Sequence, residues 1–157
     1  MNTGELETLN NLLRGELSAI ESYGEALRKL DDGSYLQNVL SQAQTSHLER
    51  ADKLRSQIRN CGGEPADASG MWGSFAKLVT SAAGGIGDKA IVNALEEGED
   101  IGSNEYEWKI LEMHGDNHRF VRDELWPKQQ ATHKLLSKLA QAANGGVWPQ
   151  APEHRDG

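Results

Sequence analysis

The chain has 157 residues, 37% of them hydrophobic, and a formal net charge of −8. That length suits a single domain with its own core, and the acidic balance, with no Lys/Arg cluster, excludes a nucleic-acid surface. Cys61 is the single cysteine, which excludes an intramolecular disulfide and any paired-cysteine redox or zinc motif. No long apolar run predicts a membrane span and no signal-peptide pattern follows Met1, so the cytoplasm is the expected compartment.

Asn2 or Thr3 is placed to cap a first helix that runs to about Leu30. Its residues at alternating three- and four-residue steps are Leu6, Leu9, Leu13, Glu16, Ile20, Tyr23, Leu27 and Leu30. Such a stripe turns inward against other helices, so Glu16 is predicted to enter the core, where a carboxylate needs a partner. Asp31, Asp32 and Gly33 form a break too short for anything but an antiparallel neighbour. Ser34 and Gln37 then fit a capping box. The second helix carries Leu36, Leu40, Ala43, His47, Ala51, Leu54 and Ile58 on one stripe, with His47 its one polar member. Gly62, Gly63 and Pro65 supply the stop.

From Pro65 to Gly87 the chain is glycine-rich but holds Trp72, Phe75, Leu78 and Val79. This spacing predicts a long crossover with a short amphipathic helix over Met71 to Ala82. Asp88 is placed to cap a third helix, running to about Met113, whose stripe is Val92, Leu95, Glu99, Gly102, Tyr106, Ile110 and Met113. A Glu again precedes a Tyr by seven residues, as Glu16 precedes Tyr23. A fourth helical stretch extends to Ala143, with Pro127 kinking it or marking its true start. Residues 1–144 are read as one domain and residues 145–157 as a loosely held tail. Short loop, long crossover, short loop predicts an all-α, up-down-down-up four-helix bundle.

A second echo joins the first. Gln44 and His47 are spaced three apart, and so are Gln130 and His133, a separation that puts each pair on one helix face. The candidate metal ligands are therefore Glu16, Gln44, His47, Glu99, Gln130 and His133. Tyr23 and Tyr106 are candidates to support them from behind. Tyr23 lies about 10 Å along the axis from Glu16, too far to touch it. The echo therefore predicts crosswise pairing, Tyr23 to Glu99 and Tyr106 to Glu16.

The stretch from Leu12 to Tyr23 resembles the first helix of bacterioferritins, and Gln44 to His47 followed by Cys61 to Pro65 resembles the end of their second. Glu96 to Asp100 with Tyr106, and the Gly-rich crossover, are most similar to an uncharacterised bacterial family of short ferritin-like four-helix bundles. The ferritin-like resemblance, which also takes in rubrerythrin-type bundles, implies a di-iron fold in which two helices each give a Glu and two each give a Glu-x-x-His pair. This chain has Gln44 and Gln130 where that resemblance places bridging carboxylates, and Thr45 where bacterioferritins have their haem-ligating Met. No haem and no tightly bound cofactor is expected; iron or another divalent ion held weakly is the cofactor the resemblance allows. Two functions stay open: a non-catalytic structural or stress-associated bundle, and a ferritin-like di-iron or mono-metal oxidoreductase or ferroxidase. The expected partner is a second copy meeting through the bundle faces.

Overall fold

The computed structural model describes residues 3–70 and 87–146. The leucine-rich stripes fold as read. Helix α1 spans Thr3–Lys29 and α2 spans Tyr35–Asn60. Helix α3 spans Asp88–Leu111, and a short α4 covers Gly115–Phe120. One π-helical turn, Val121–Leu125, leads into α5, Trp126–Asn144. No strand occurs among the described residues. The expected crossover helix over Met71 to Ala82, and the tail beyond residue 146, lie outside the described residues.

Local chemistry sets the ends. Ser34 Oγ accepts from Gln37 N–H at 3.1 Å, while the Gln37 side chain accepts from Gly33 N–H at 2.7 Å, one residue earlier than a standard capping box reaches. Helix α2 stops where Gly62 takes φ 79°, with Gly63 N–H donating back to Ile58 C=O at 2.9 Å. A side chain at Gly63 would sit 2.7 Å from Leu6 Cδ2, so this turn packs directly on α1. Asp88 is the first residue of α3 rather than its cap, which is Gly87. Its charge there favours the positive end of the helix dipole.

Pro127 lies in the first turn of α5 and has no N–H to give to the preceding turn. The chain widens just before it, and Trp126 N–H donates to Val121 C=O, five residues back. That wide turn sets the phase of everything after it.

Contacts between helices run in opposite chain senses. Glu16 meets His47 and Ile20 meets Gln44 between α1 and α2. Tyr23 meets Glu99 and Glu16 meets Tyr106 between α1 and α3. Asn93 meets Asn144 and Asp100 meets His133 between α3 and α5. Two apolar layers fill the interior. One gathers around Tyr23, Leu40, Val92 and Leu136, the other around Leu13, Leu54, Ile58 and Leu125. Glu16 on α1, His47 and Arg50 on α2, Glu99 on α3, and Gln129 and Thr132 on α5 sit between these layers.

Candidate functional site: a buried carboxylate, histidine and arginine network

Glu16 and Glu99 are each only 3% exposed, as their stripes require. His47 lies between them. Its Nδ1 is 2.6 Å from Glu16 Oε2 and its Nε2 is 2.7 Å from Glu99 Oε1. Ionised carboxylate oxygens only accept, and a neutral imidazole has one N–H. Two short contacts to two carboxylates therefore require the imidazolium, with both ring nitrogens donating. The Tyr hydroxyls pair crosswise: Tyr23 donates to Glu99 Oε1 and Tyr106 to Glu16 Oε1, each at 2.7 Å. Antiparallel helices with the same seven-residue offset can satisfy both bonds at once.

The fourth charge was not among the residues singled out from the sequence. Arg50 is 1% exposed, and its Nη1 lies 3.3 Å from Glu16 Oε1. The same nitrogen donates to Gln129 Oε1, and Nη2 donates to Thr132 Oγ1 at 3.0 Å. Gln129 Nε2 and Thr132 Oγ1 donate in turn to Glu99 Oε2 at 3.0 and 2.9 Å. An amide suits position 129 because one end faces a cation and the other a carboxylate. Glutamate there would set two carboxylates against each other. Among the described residues, every buried side-chain nitrogen and oxygen has a hydrogen-bond partner, so the network is complete as it stands.

Two of the expected candidates are elsewhere, and a third is displaced. His133 is half-buried on the outer side of α5, where its Nε2 lies 2.6 Å from Asp100 Oδ1. Gln130 is exposed. The likeness of Gln130/His133 to Gln44/His47 misled by one position. The stripe Val121, Leu125, Leu136, Leu139 and Ala143 continues inward through Gln129 and Thr132, the residues the structure buries. Gln44 is half-buried and gives its amide to Ile20 C=O at 3.1 Å, bracing α2 on α1 outside the central network. The inward pair on α2 is His47 with Arg50, one turn further along. Glu96, Asp100 and His133 do place possible donor atoms within 4.8 Å of one another on the α3/α5 surface, where exposed acidic groups need no ion.

The electrostatics agree with the geometry. Burial would raise the Glu99 pKa, but His47, its hydrogen bond and Arg50 outweigh it and bring it to about 2. Glu16 is held low against the same burial by Arg50 and His47. Burial and then Arg50 press the His47 pKa down, yet Glu16 and Glu99 together raise it above its ordinary 6.5. Burial, then the facing carboxylates, push Tyr23 and Tyr106 well above 10, so both stay hydroxyl donors. The cluster thus holds two negative and two positive charges.

A pH dependence follows from linkage. His47 binds its proton more tightly when folded, so its contribution is complete below 6.5 and is lost as pH rises through the folded value. Glu99 contributes fully above its ordinary 4.5 and loses that contribution as pH falls toward about 2. Urea midpoints measured across pH should therefore be highest between 4.5 and 6.5 and fall on both sides. A midpoint that keeps climbing from pH 6 to pH 9 would contradict an imidazolium at the centre.

A di-metal centre does not fit this donor set. The two carboxylates face a fixed guanidinium, so adding two divalent ions, even with His47 neutral, leaves three uncompensated positive charges in the core. One ion leaves one. Small residues at Gly15, Ala19, Gly98 and Gly102 leave a cleft of about 50 Å³ between α1 and α3 that reaches Glu16 and Glu99. It has room for a few waters and opens a path from solvent to the network.

Comparison with known proteins returns one family. No curated protein and no solved structure matches the chain. The family described as "Domain of unknown function (DUF2383)" matches residues 5–112, a span that takes in Glu16, Tyr23, His47, Arg50, Glu99 and Tyr106 and ends before Gln129. With well over half of its length matched, the chain belongs to the DUF2383 family.

Proposed function

We propose that this protein is a ferritin-like, up-down-down-up four-helix bundle with a non-catalytic, structural role, its centre held by side-chain charges in the place that fold gives to metal. The opposed senses of α1/α2, α1/α3 and α3/α5 support the topology. So does the pattern of inward residues. The fold takes a Glu from each of two helices and an i, i+3 pair from each of the other two. Here the Glu residues are Glu16 and Glu99, and the pairs are His47 with Arg50 and Gln129 with Thr132. A metal-free role rests on one observation: His47 spends both ring nitrogens on the two carboxylates an ion would need.

A buried ionic network adds little net stability over an apolar core. Its use is to fix register, because only one alignment of the helices pairs every charge. A structural bundle works through its surface, and Trp108 and Leu111, 69% and 72% exposed and three residues apart on α3, supply apolar area for association with a second copy.

Anaerobic Fe²⁺ titration followed by desalting and metal analysis tests the reading. The wild-type chain should retain no stoichiometric iron. Two irons retained per chain would put the ferritin-like oxidoreductase reading in first place. The positions that govern the outcome are 47, 50 and 129. Gln44→Glu with Gln130→Glu adds carboxylates outside the centre and should leave iron retention unchanged.

A further inference from the structure

His133 is on the wrong side of α5 to serve the centre, but it meets other donors there. Helices α3 and α5 run in opposite senses, and their outer edge carries a ladder of polar pairs. Asn93 and Asn144 exchange two side-chain amide bonds at 3.2 and 3.1 Å. Ser137 Oγ donates to Glu96 Oε1 at 3.5 Å, and His133 Nε2 lies 2.6 Å from Asp100 Oδ1. Glu96 and Asp100 are four residues apart and share one face of α3. One donor atom from each of Glu96, Asp100 and His133 falls within 4.8 Å of the other two. We infer that this edge of the bundle is a site for one divalent first-row metal ion of the Zn²⁺ type, held by Glu96, Asp100 and His133. The inference goes beyond the structural reading of the centre and does not depend on it.

Geometry and charge favour this edge over the centre. The His47 ring keeps Glu16 and Glu99 apart, one on each ring nitrogen, whereas here one imidazole and two carboxylates already form a single group. Donors bound to a tetrahedral ion lie about 3.4 Å from one another, so the 2.6 Å contact has to open and the wider spacings have to close. Side-chain rotation achieves both, because the His133 and Asp100 side chains are 31% and 57% exposed. The two backbones behind them are tied by the Asn93–Asn144 pair and by Gln129 Nε2 donating to Glu99 C=O. Two carboxylates and a ligating, neutral imidazole match the charge of one divalent ion, and the group contains no fixed cation such as Arg50. Exposed acids alone need no ion; the imidazole nitrogen is what suits this set to a borderline ion rather than to Mg²⁺. Three protein ligands leave a coordination position for water. The set borders a groove of about 330 Å³, lined in part by Asn104, Glu107, Trp126 and Gln130, from which that water exchanges.

Calorimetric titration of the full chain with Zn²⁺ at pH 7 tests the assignment. The wild-type protein should bind one Zn²⁺ per chain, and its Tm should rise with Zn²⁺ concentration, because the ion joins α3 to α5 only in the folded chain. An ion this accessible exchanges freely, and Fe²⁺ stands below Zn²⁺ in affinity, so iron would leave this edge on desalting. His133→Ala and Asp100→Asn should each weaken Zn²⁺ binding by more than about 10-fold, the least that loss of an outer partner costs. Both positions are on the surface, so their circular dichroism should stay that of the wild type. Excess Mg²⁺ should leave Zn²⁺ binding unchanged; equal competition by Mg²⁺ would reveal only a cluster of acids and overturn the inference. So would a wild-type protein that binds no Zn²⁺, or binding that survives in His133→Ala; neither touches the reading of the centre. Binding kept in His133→Ala but lost in Glu16→Gln would put the ion in the centre and overturn both.

Discussion

His47→Leu should destabilise the protein by about 3–5 kcal/mol, the cost of breaking a buried ion pair by removing one partner. Leucine fills much of the imidazole volume, so the loss is electrostatic rather than a cavity effect. Glu16 retains Arg50 and Tyr106, whereas Glu99 retains the neutral donors Tyr23, Gln129 and Thr132 and the more distant charge of Arg50. The Glu99 pKa should therefore rise from about 2, because the His47 charge and hydrogen bond are the largest effects that hold it down against burial. Denaturant unfolding of both proteins at pH 6, with NMR titration of the Glu99 carboxyl, measures both effects. A His47→Leu protein as stable as wild type at pH 6 would show that His47 is not the cation joining the two carboxylates.

Removing all four charges together should do the opposite. Glu16→Met, His47→Leu, Arg50→Met and Glu99→Leu leave no unpaired charge, and replacing a buried ionic cluster by apolar residues of similar size is neutral or stabilising by about 1–4 kcal/mol. Gln129, Thr132, Tyr23 and Tyr106 would also lose their charged partners and would be changed to Leu, Val, Phe and Phe in the same protein, so that no buried polar group is stranded. The variant should unfold at equal or higher urea concentration while its NMR spectrum broadens, because apolar layers tolerate sliding and rotation that a charge network forbids. A large loss of stability in the fully apolar variant would show that the network is a source of stability and not only of register. The contrast with His47→Leu carries the information: one charge removed is costly, all removed are not.

Much of this was legible in the chain itself. The three- and four-residue spacing of leucines determined four long helices, and a polar residue on such a stripe had to point inward. Glu16, His47 and Glu99 do so. The repeated Glu-to-Tyr offset determined the crosswise hydroxyl bonds as well, because two antiparallel helices with equal offsets bring each Tyr level with the other's Glu. Part of the rest had a signal that a more conspicuous one hid. Gln129 and Thr132 lie on the apolar stripe of α5, but the similarity of Gln130 and His133 to Gln44 and His47 pointed one position away.

What tertiary structure alone decided was the side of the bundle on which the long polar side chains end. Arg50 is three residues from His47 and shares its face, but an arginine on a helix ordinarily carries its head out to water along its flexible stem. It stays inside here because Glu16 from α1 and Gln129 and Thr132 from α5 converge on the guanidinium. Those partners are 34, 79 and 82 residues away in sequence. Periodicity within a helix tells which face a residue is on. Whether a buried charge there is compensated depends on what the other helices bring to the same point.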